Sequence, residues 1–334
     1  MKRSVVIATA LAACFGAGCI RTRVNAEIPD INIGGGGSGP SQLPSEGKWG
    51  DVIRGAGDYL AGSEYGYLFY AYDTLAYPGE PIELVARVQQ VDGLKAIPGV
   101  TVGFFHRREL IGTALTDDGG YAVITVRPLR EGDYRYVAKV ITTPSETHDD
   151  LLRCSPAPLL VAARDRRTPM AVIDLDHTLA AASFAHVLLG TVRPMPHSVA
   201  VTRRIAREYT VVYLTHRPQQ LTRKSKLWLT DNGYPAGPLM LSRVSDLFSG
   251  SGKFKSARLD ALREVYPNVR IGIGDKVSDA QAYASAGLDA YLIPHYKRKP
   301  KDMRKLAKEI RALPRRGRLA VVTSWREIEA GIFD

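Results

Sequence analysis

Apolar residues fall in short bursts along the chain, and the rhythm of those bursts changes from one region to the next. The first burst, Val5 to Ala13, follows Lys2 and Arg3. A helix needs about 20 apolar residues to span a bilayer, so this run is too short and reads as the core of a targeting signal. Residues 20–64 hold Ile33-Gly-Gly-Gly-Gly-Ser-Gly-Pro40, which builds no core and predicts a flexible linker. Between 65 and 163 apolar and polar residues alternate in short segments: 67–71, 82–88, 100–105, 121–126 and 134–140. Tyr77-Pro-Gly-Glu80, Ile97-Pro-Gly99 and Asp117-Asp-Gly-Gly120 supply turns between them, so a small antiparallel β-sandwich is expected. Pro156, Pro158 and the run Arg164 to Pro169 mark its end.

From 168 to 334 the pattern switches to strands alternating with helices. Strands are predicted at 171–174, 210–215, 239–241, 269–273, 290–293 and 319–323, and helices near 196–208, 219–232, 255–266, 278–286, 300–312 and 324–331. Pro218 before the second helix and Gly233 after it delimit it well. Such alternation predicts an α/β, Rossmann-like parallel sheet with helices on both faces.

Composition alters this picture in one respect. Hydrophobic content of 45% is ordinary, but a net charge of +11 is not, and it calls for an anionic partner. The three tryptophans and the other aromatics do not interleave with the basic residues, which argues against nucleic acid. Three cysteines, Cys14, Cys19 and Cys154, make neither a disulfide framework nor a metal-binding spacing. If Cys14 is lipidated, Cys154 can pair with Cys19.

Four polar groups follow apolar strands. Asp174 and Asp176 end the run from Ala171, and residues two apart in an extended chain point the same way. Two like charges that close require a proton or a cation between them, and an oxygen-preferring ion such as Mg²⁺ suits. One carboxylate can attack phosphorus while the other protonates the leaving oxygen. A pair of capping or turn carboxylates is the plainer alternative. Thr215 ends the second strand with a hydroxyl, and Arg217 offers a bidentate phosphate grip. A Thr before Pro218 is also an ordinary helix cap. Gly250-Ser-Gly-Lys-Phe-Lys255 presents Lys255, or else Lys253, to a phosphate. Gly274-Asp275 and Asp279 bring two more carboxylates, so a metal shell of Asp174, Asp176, Asp275 and Asp279 is expected.

In this order the four motifs resemble those of the haloacid-dehalogenase superfamily. The resemblance implies Asp174 as nucleophile, Asp176 as acid and base in Asp-x-Asp-x-Thr with Thr178, and Lys255 as the neutralising cation. There is no room between the first two motifs for a large cap domain. Within the superfamily, Tyr213-Leu-Thr-His-Arg217, Trp228 to Tyr234, Gly237 to Ser242, Lys253-Phe-Lys255 and Asp279 to Tyr283 resemble the C-terminal catalytic domain of lipins. That domain is shared with membrane-associated phosphatidylinositol-transfer proteins. His177 stands where that family has Gly, and Asp275 where it usually has Asn. The resemblance implies a Mg²⁺-dependent phosphatase acting on a membrane phospholipid such as phosphatidate. The alternatives are a lipoprotein acid phosphatase taking small soluble phosphomonoesters and a non-catalytic phospholipid-binding module.

The flanking regions carry resemblances too. Leu11-Ala-Ala-Cys14 resembles a bacterial lipobox, with Gly16-Ala-Gly-Cys19 as the second candidate, so lipidation at Cys14 or Cys19 is expected. No Asp follows either cysteine, which implies an anchor in the outer membrane of the cell envelope, facing the periplasm. Residues 99–134 resemble immunoglobulin-like modules, implying a spacer or a module that binds an unidentified partner. Finally, Tyr296 to Lys305, continued by Arg311, Arg315, Arg316 and Arg318, is a basic run, and Met303, Leu306, Ala307, Ile310 and Leu313 give it an apolar side. Either it is a solvated surface helix or it docks on anionic lipid.

Overall fold

The structure, a computed structural model, describes residues 63–181, 192–243, 250–294, 300–313 and 318–334. The leader, Cys14, Cys19 and the Gly-rich linker lie outside the described residues, as do 295–299 of the basic run. No helix among the described residues is long and apolar enough to cross a membrane.

The N-terminal part is built of two β-sheets. One sheet has the order β1 (Tyr67–Ala71), β3 (Ile82–Gln90), β6 (Tyr121–Val126). The other runs β2 (Thr74–Ala76), β8 (Ala157–Ala163), β7 (Gly132–Thr142), β4 (Thr101–His106), β5 (Glu109–Leu115). Alternation fills the space between them: Phe69, Leu84, Ala86, Val88, Val102, Phe104, Ala138 and Val161 are buried in one core. Cys154 is buried in the same core as a free thiol, pushed up to about 12 by burial and then by the Glu64 charge.

Sequence pattern alone did not mark β2, β5 and β8 as strands. Pro158 disguises β8, because proline donates no ladder hydrogen bond. The strand tolerates it because β2 pairs with β8 only from Val161 onward, leaving one side of Pro158 without a strand partner.

The C-terminal part is α/β. Its strands are β9 (Met170–Ile173), β10 (Thr210–Pro218), β11 (Leu239–Ser242), β12 (Val269–Gly274), β13 (Asp289–Leu292) and β14 (Leu319–Val321). They form one sheet in the order β11-β10-β9-β12-β13-β14, with every neighbouring pair parallel. The helices are α1 (Ser198–Ile205), α2 (Thr222–Asp231), α3 (Ser251–Val265), α4 (Val277–Ser285), α5 (Pro300–Arg311) and α6 (Trp325–Phe333). All four residues of β9 are buried, as a central strand covered on both faces requires. Strand order reverses between β9 and β12. Open α/β sheets bind ligands at such a switch point, beyond the carboxyl ends of the strands.

The two parts are joined by polar contacts and by apolar packing. Asp73, nearly buried after β1, accepts from Lys226 of α2 at 2.6 Å, from Leu160 N at 2.8 Å and from Leu239 N at 3.1 Å. Arg223 pairs with Glu64 at 2.9 Å, and Arg164 donates to Thr210 at 2.7 Å. Leu75, Ala162 and Tyr77 pack in one cluster with Met170, Val212 and Tyr266. Removing one partner of a buried pair costs about 3–5 kcal/mol, because the other charge stays buried. Asp73→Ala is therefore expected to lower stability by about 3 kcal/mol in urea denaturation, with both parts unfolding in one transition. A loss below about 1 kcal/mol, or two separated transitions, would show that this contact does not unite them.

Candidate functional site

The site forms where β9, β10 and β12 end. β9 stops at Ile173, and Asp174 follows it, held by its backbone N–H donating to Ile273 O at 3.0 Å. Asp275 follows β12, and Asp279 sits in the first turn of α4. Gly274 is required here: a Cβ at that position would stand 2.8 Å from Asp279 Cβ and Oδ2. Ligand oxygens of Asp174, Asp275 and Asp279 all lie within 4.8 Å of one another.

Lys255 enters this cluster from α3, one turn past the helix start. Its Nζ lies 2.9 Å from Asp174 Oδ1 and 2.7 Å from Asp279 Oδ2. Lys253 is exposed and points no charge into the cluster. Burial works against the Lys255 charge, but Asp174 and Asp279 outweigh it and hold the ammonium well above its usual range. Three carboxylates against one ammonium leave an excess of negative charge in a buried place. Burial, then Asp174 and Asp279, push Asp275 up to about 8, and burial also raises Asp279 against the pull of Lys255. Asp275 Oδ1 and Asp279 Oδ1 are buried with no hydrogen-bond partner. Orphaned oxygens beside surplus negative charge suit a hard divalent cation.

Asp176 lies outside the cluster. The expected metal shell therefore loses one member: Asp174 joins Asp275 and Asp279, and Asp176 does not. Arg217 instead grips Asp176, at 2.8 Å from Nη2 to Oδ1 and 3.1 Å from Nε to Oδ2. Thr178 Oγ1 is 3.5 Å from Asp174 Oδ2. Thr215 is fully buried inside β10 and caps no helix; its Oγ1 accepts from Arg217 N at 3.3 Å. The site thus has two halves, a buried metal-type cluster and the Arg217–Asp176 pair.

Three further residues support these groups. Ser225 of α2 accepts from Arg217 Nη1 at 2.9 Å. Trp325 at the start of α6 donates to Thr178 O at 2.9 Å and so fixes the turn after Asp174. Tyr283 of α4 packs beneath Gly272, its hydroxyl buried without a partner. Tyr283 closes the Asp279 to Tyr283 segment that carries part of the resemblance, whereas Ser225 and Trp325 belong to no motif and had no signal beyond a helix position.

His177 holds a left-handed backbone, with φ of 57°. That conformation costs an L-residue about 1–2 kcal/mol and glycine almost nothing. His177→Gly is therefore expected to keep stability within about 1 kcal/mol and to keep turnover, once the added chain entropy is counted. A turnover loss beyond tenfold would assign the imidazole a part in the reaction.

A family model described as "PITM 1-3, LNS2 domain" matches residues 171–293, less than half of the chain. No curated protein matches. Among solved structures, the D00-D0 domain of intimin is 23% identical over 29% of this chain and 46% of that one, at a TM-score of 0.21. The CARDB domain of a Pyrococcus furiosus protein is 16% identical over 29% of this chain and 94% of that one, at 0.20. A conjugative transposon lipoprotein from Bacteroides eggerthii is 8% identical over 30% of this chain and all of that one, at 0.21. The chain spans less than half the length of the intimin structure, and likenesses at these scores assign no function.

Proposed function

We propose that this protein is a Mg²⁺-dependent phosphomonoester hydrolase of the haloacid-dehalogenase kind, acting on a membrane phospholipid such as phosphatidate. The match over residues 171–293 points to a phosphatase-related or lipid-binding function. The observation that carries the enzymatic reading is the buried group of Asp174, Asp275, Asp279 and Lys255 at the switch point.

Asp174, Asp275 and Asp279 would hold the cation, which neutralises charge on the attacking carboxylate and the phosphoryl oxygens. Lys255 shares that task and orients Asp174. An Asp174 carboxylate oxygen attacks phosphorus and forms an aspartyl-phosphate, while the phosphorus–oxygen bond to the leaving alkoxide breaks. Asp176 gives the alkoxide its proton and then takes one from the water that cleaves the aspartyl-phosphate. Thr215 and Arg217 offer hydrogen bonds to the phosphoryl group, Arg217 by exchanging part of its grip on Asp176. N-terminal lipidation, if present, would keep the enzyme at its substrate.

The second reading, a non-catalytic phospholipid-binding module, draws on the matching family description, which names an LNS2 domain of PITM proteins rather than an enzyme. Here both Asp174 and Asp176 are present, which binding alone does not require.

The test is phosphate release by the full chain from phosphatidate in mixed micelles against a small aryl phosphate, with Mg²⁺ and with chelator. Mg²⁺-dependent release that favours phosphatidate is expected. Preference for the aryl ester would point to a soluble-phosphomonoester phosphatase. Binding of phosphatidate without turnover of either would leave the binding module.

A further inference from the structure

We propose that α5 is the element that docks this protein on an anionic phospholipid bilayer. The inference deepens the phospholipid-phosphatase reading and rests on it for its purpose, but it is measured without turnover.

Helix α5 is attached to the fold at one end only. Ile310 and Leu313, just past its last turn, pack with Val277, Ala280 and Leu292. Val277 and Ala280 lie two and five residues beyond Asp275, and Leu292 ends the strand next to β12. Leu319, the first residue of β14, joins the same cluster, so the attached end packs along β13 and β14. Toward its start the helix is bare. Met303 is 48% exposed, and Ala307, one turn on along the same side as Ile310, is exposed as well. A helix side that begins apolar and packed, and continues apolar and uncovered, lacks a partner within the described residues.

Charge identifies the occupant. Around that side Lys301, Arg304, Lys305, Lys308 and Arg311 are all exposed, five cations against the two acidic residues of the helix, Asp302 and Glu309. The one ion pair described among them, Lys305–Glu309, is long at 3.7 Å. An amphipathic helix with a bulky apolar residue between lysines and arginines lies in the plane of a bilayer interface, its long basic side chains reaching the headgroups. Each such cation strengthens binding to an anionic surface about fivefold. The net charge of +11 adds attraction of the same sign.

The test places an environment-sensitive fluorophore on the full chain at Met303→Cys, with Cys14→Ser and Cys19→Ser. Cys154 is buried and takes no label. Vesicles containing phosphatidylglycerol, a phosphodiester lacking the phosphomonoester the site would hydrolyse, should shift the emission to the blue. Pure phosphatidylcholine vesicles should not. Lys301→Gln, Lys305→Gln and Lys308→Gln together should weaken the response about a hundredfold. An unchanged emission with anionic vesicles overturns the proposal, and so does an equal shift with neutral ones. A blue shift that grows with protein concentration and needs no vesicles would make a second copy the occupant and also overturn it. Aryl phosphate turnover on the same samples separates the two readings. Docking lost with turnover intact removes only this inference, and turnover absent with docking intact removes only the enzymatic one.

Discussion

Asp174→Asn is expected to fold and to lower phosphate release by more than about 10³-fold, on phosphatidate and on an aryl phosphate alike. Asn keeps the shape of the side chain and offers an oxygen to Lys255, 2.9 Å away, but it is not a nucleophile. A loss independent of the leaving group marks the group that attacks. Asp176→Asn should behave differently, because it removes proton donation, worth about 10²–10⁴-fold. Its loss should be large for phosphatidate, whose alkoxide needs the proton, and small for a nitrophenyl phosphate, whose phenolate leaves without one. Single-turnover measurements with both esters distinguish the two. If Asp174→Asn retained activity within tenfold, the aspartyl-phosphate route would be untenable. If Asp176→Asn hurt both esters equally, its role would be to hold Arg217 rather than to move a proton.

The second large effect is on stability. Raising the pH from about 4 to about 8 should progressively lower the Tm of the metal-stripped protein, and saturating Mg²⁺ should restore it most at the upper end. The sign follows from Asp275, whose folded pKa is raised to about 8 from an ordinary 3.8. Across that interval the folded state holds a proton that the unfolded state has lost. Stability contributed by this group is therefore full below the lower value and disappears as pH passes the upper one. Mg²⁺ at a hundred times its Kd adds about 2.7 kcal/mol, or roughly 5 °C in a protein of this size. Asp275→Asn should flatten the pH slope, raise the metal-free Tm at high pH and abolish the Mg²⁺ shift. Calorimetry of both proteins across this range tests it. A slope shared by wild type and Asp275→Asn would place its origin elsewhere.

Strand-end chemistry was legible in the sequence because apolar runs announce where a parallel strand stops. Asp174 and Asp275 stand one step beyond such runs and Asp279 one helical turn further, whereas Thr215 lies inside β10 and Lys255 arrives on α3. The partner of Asp176 was not legible, since Arg217 comes to it from β10, forty-one residues away in the chain. Ser225 and Trp325 were hidden for another reason. They reach the site from helix faces whose pattern announces only burial. The joint between the two parts was hidden most fully. Glu64, Asp73 and Lys226 have the composition of surface charge, and only the three-dimensional arrangement pairs them.

The shared packing of Leu75, Ala162 and Tyr77 against Met170, Val212 and Tyr266 bears on how such a chain can arise and change. A gene fragment encoding the α/β part alone would yield a polypeptide with an uncovered apolar flank and an ammonium, Lys226, bereft of its carboxylate. Shuffling at that boundary would be penalised, so the two parts should travel together through descent. Insertions and rearrangements would be better tolerated upstream of the sandwich, where no such seam has to be matched.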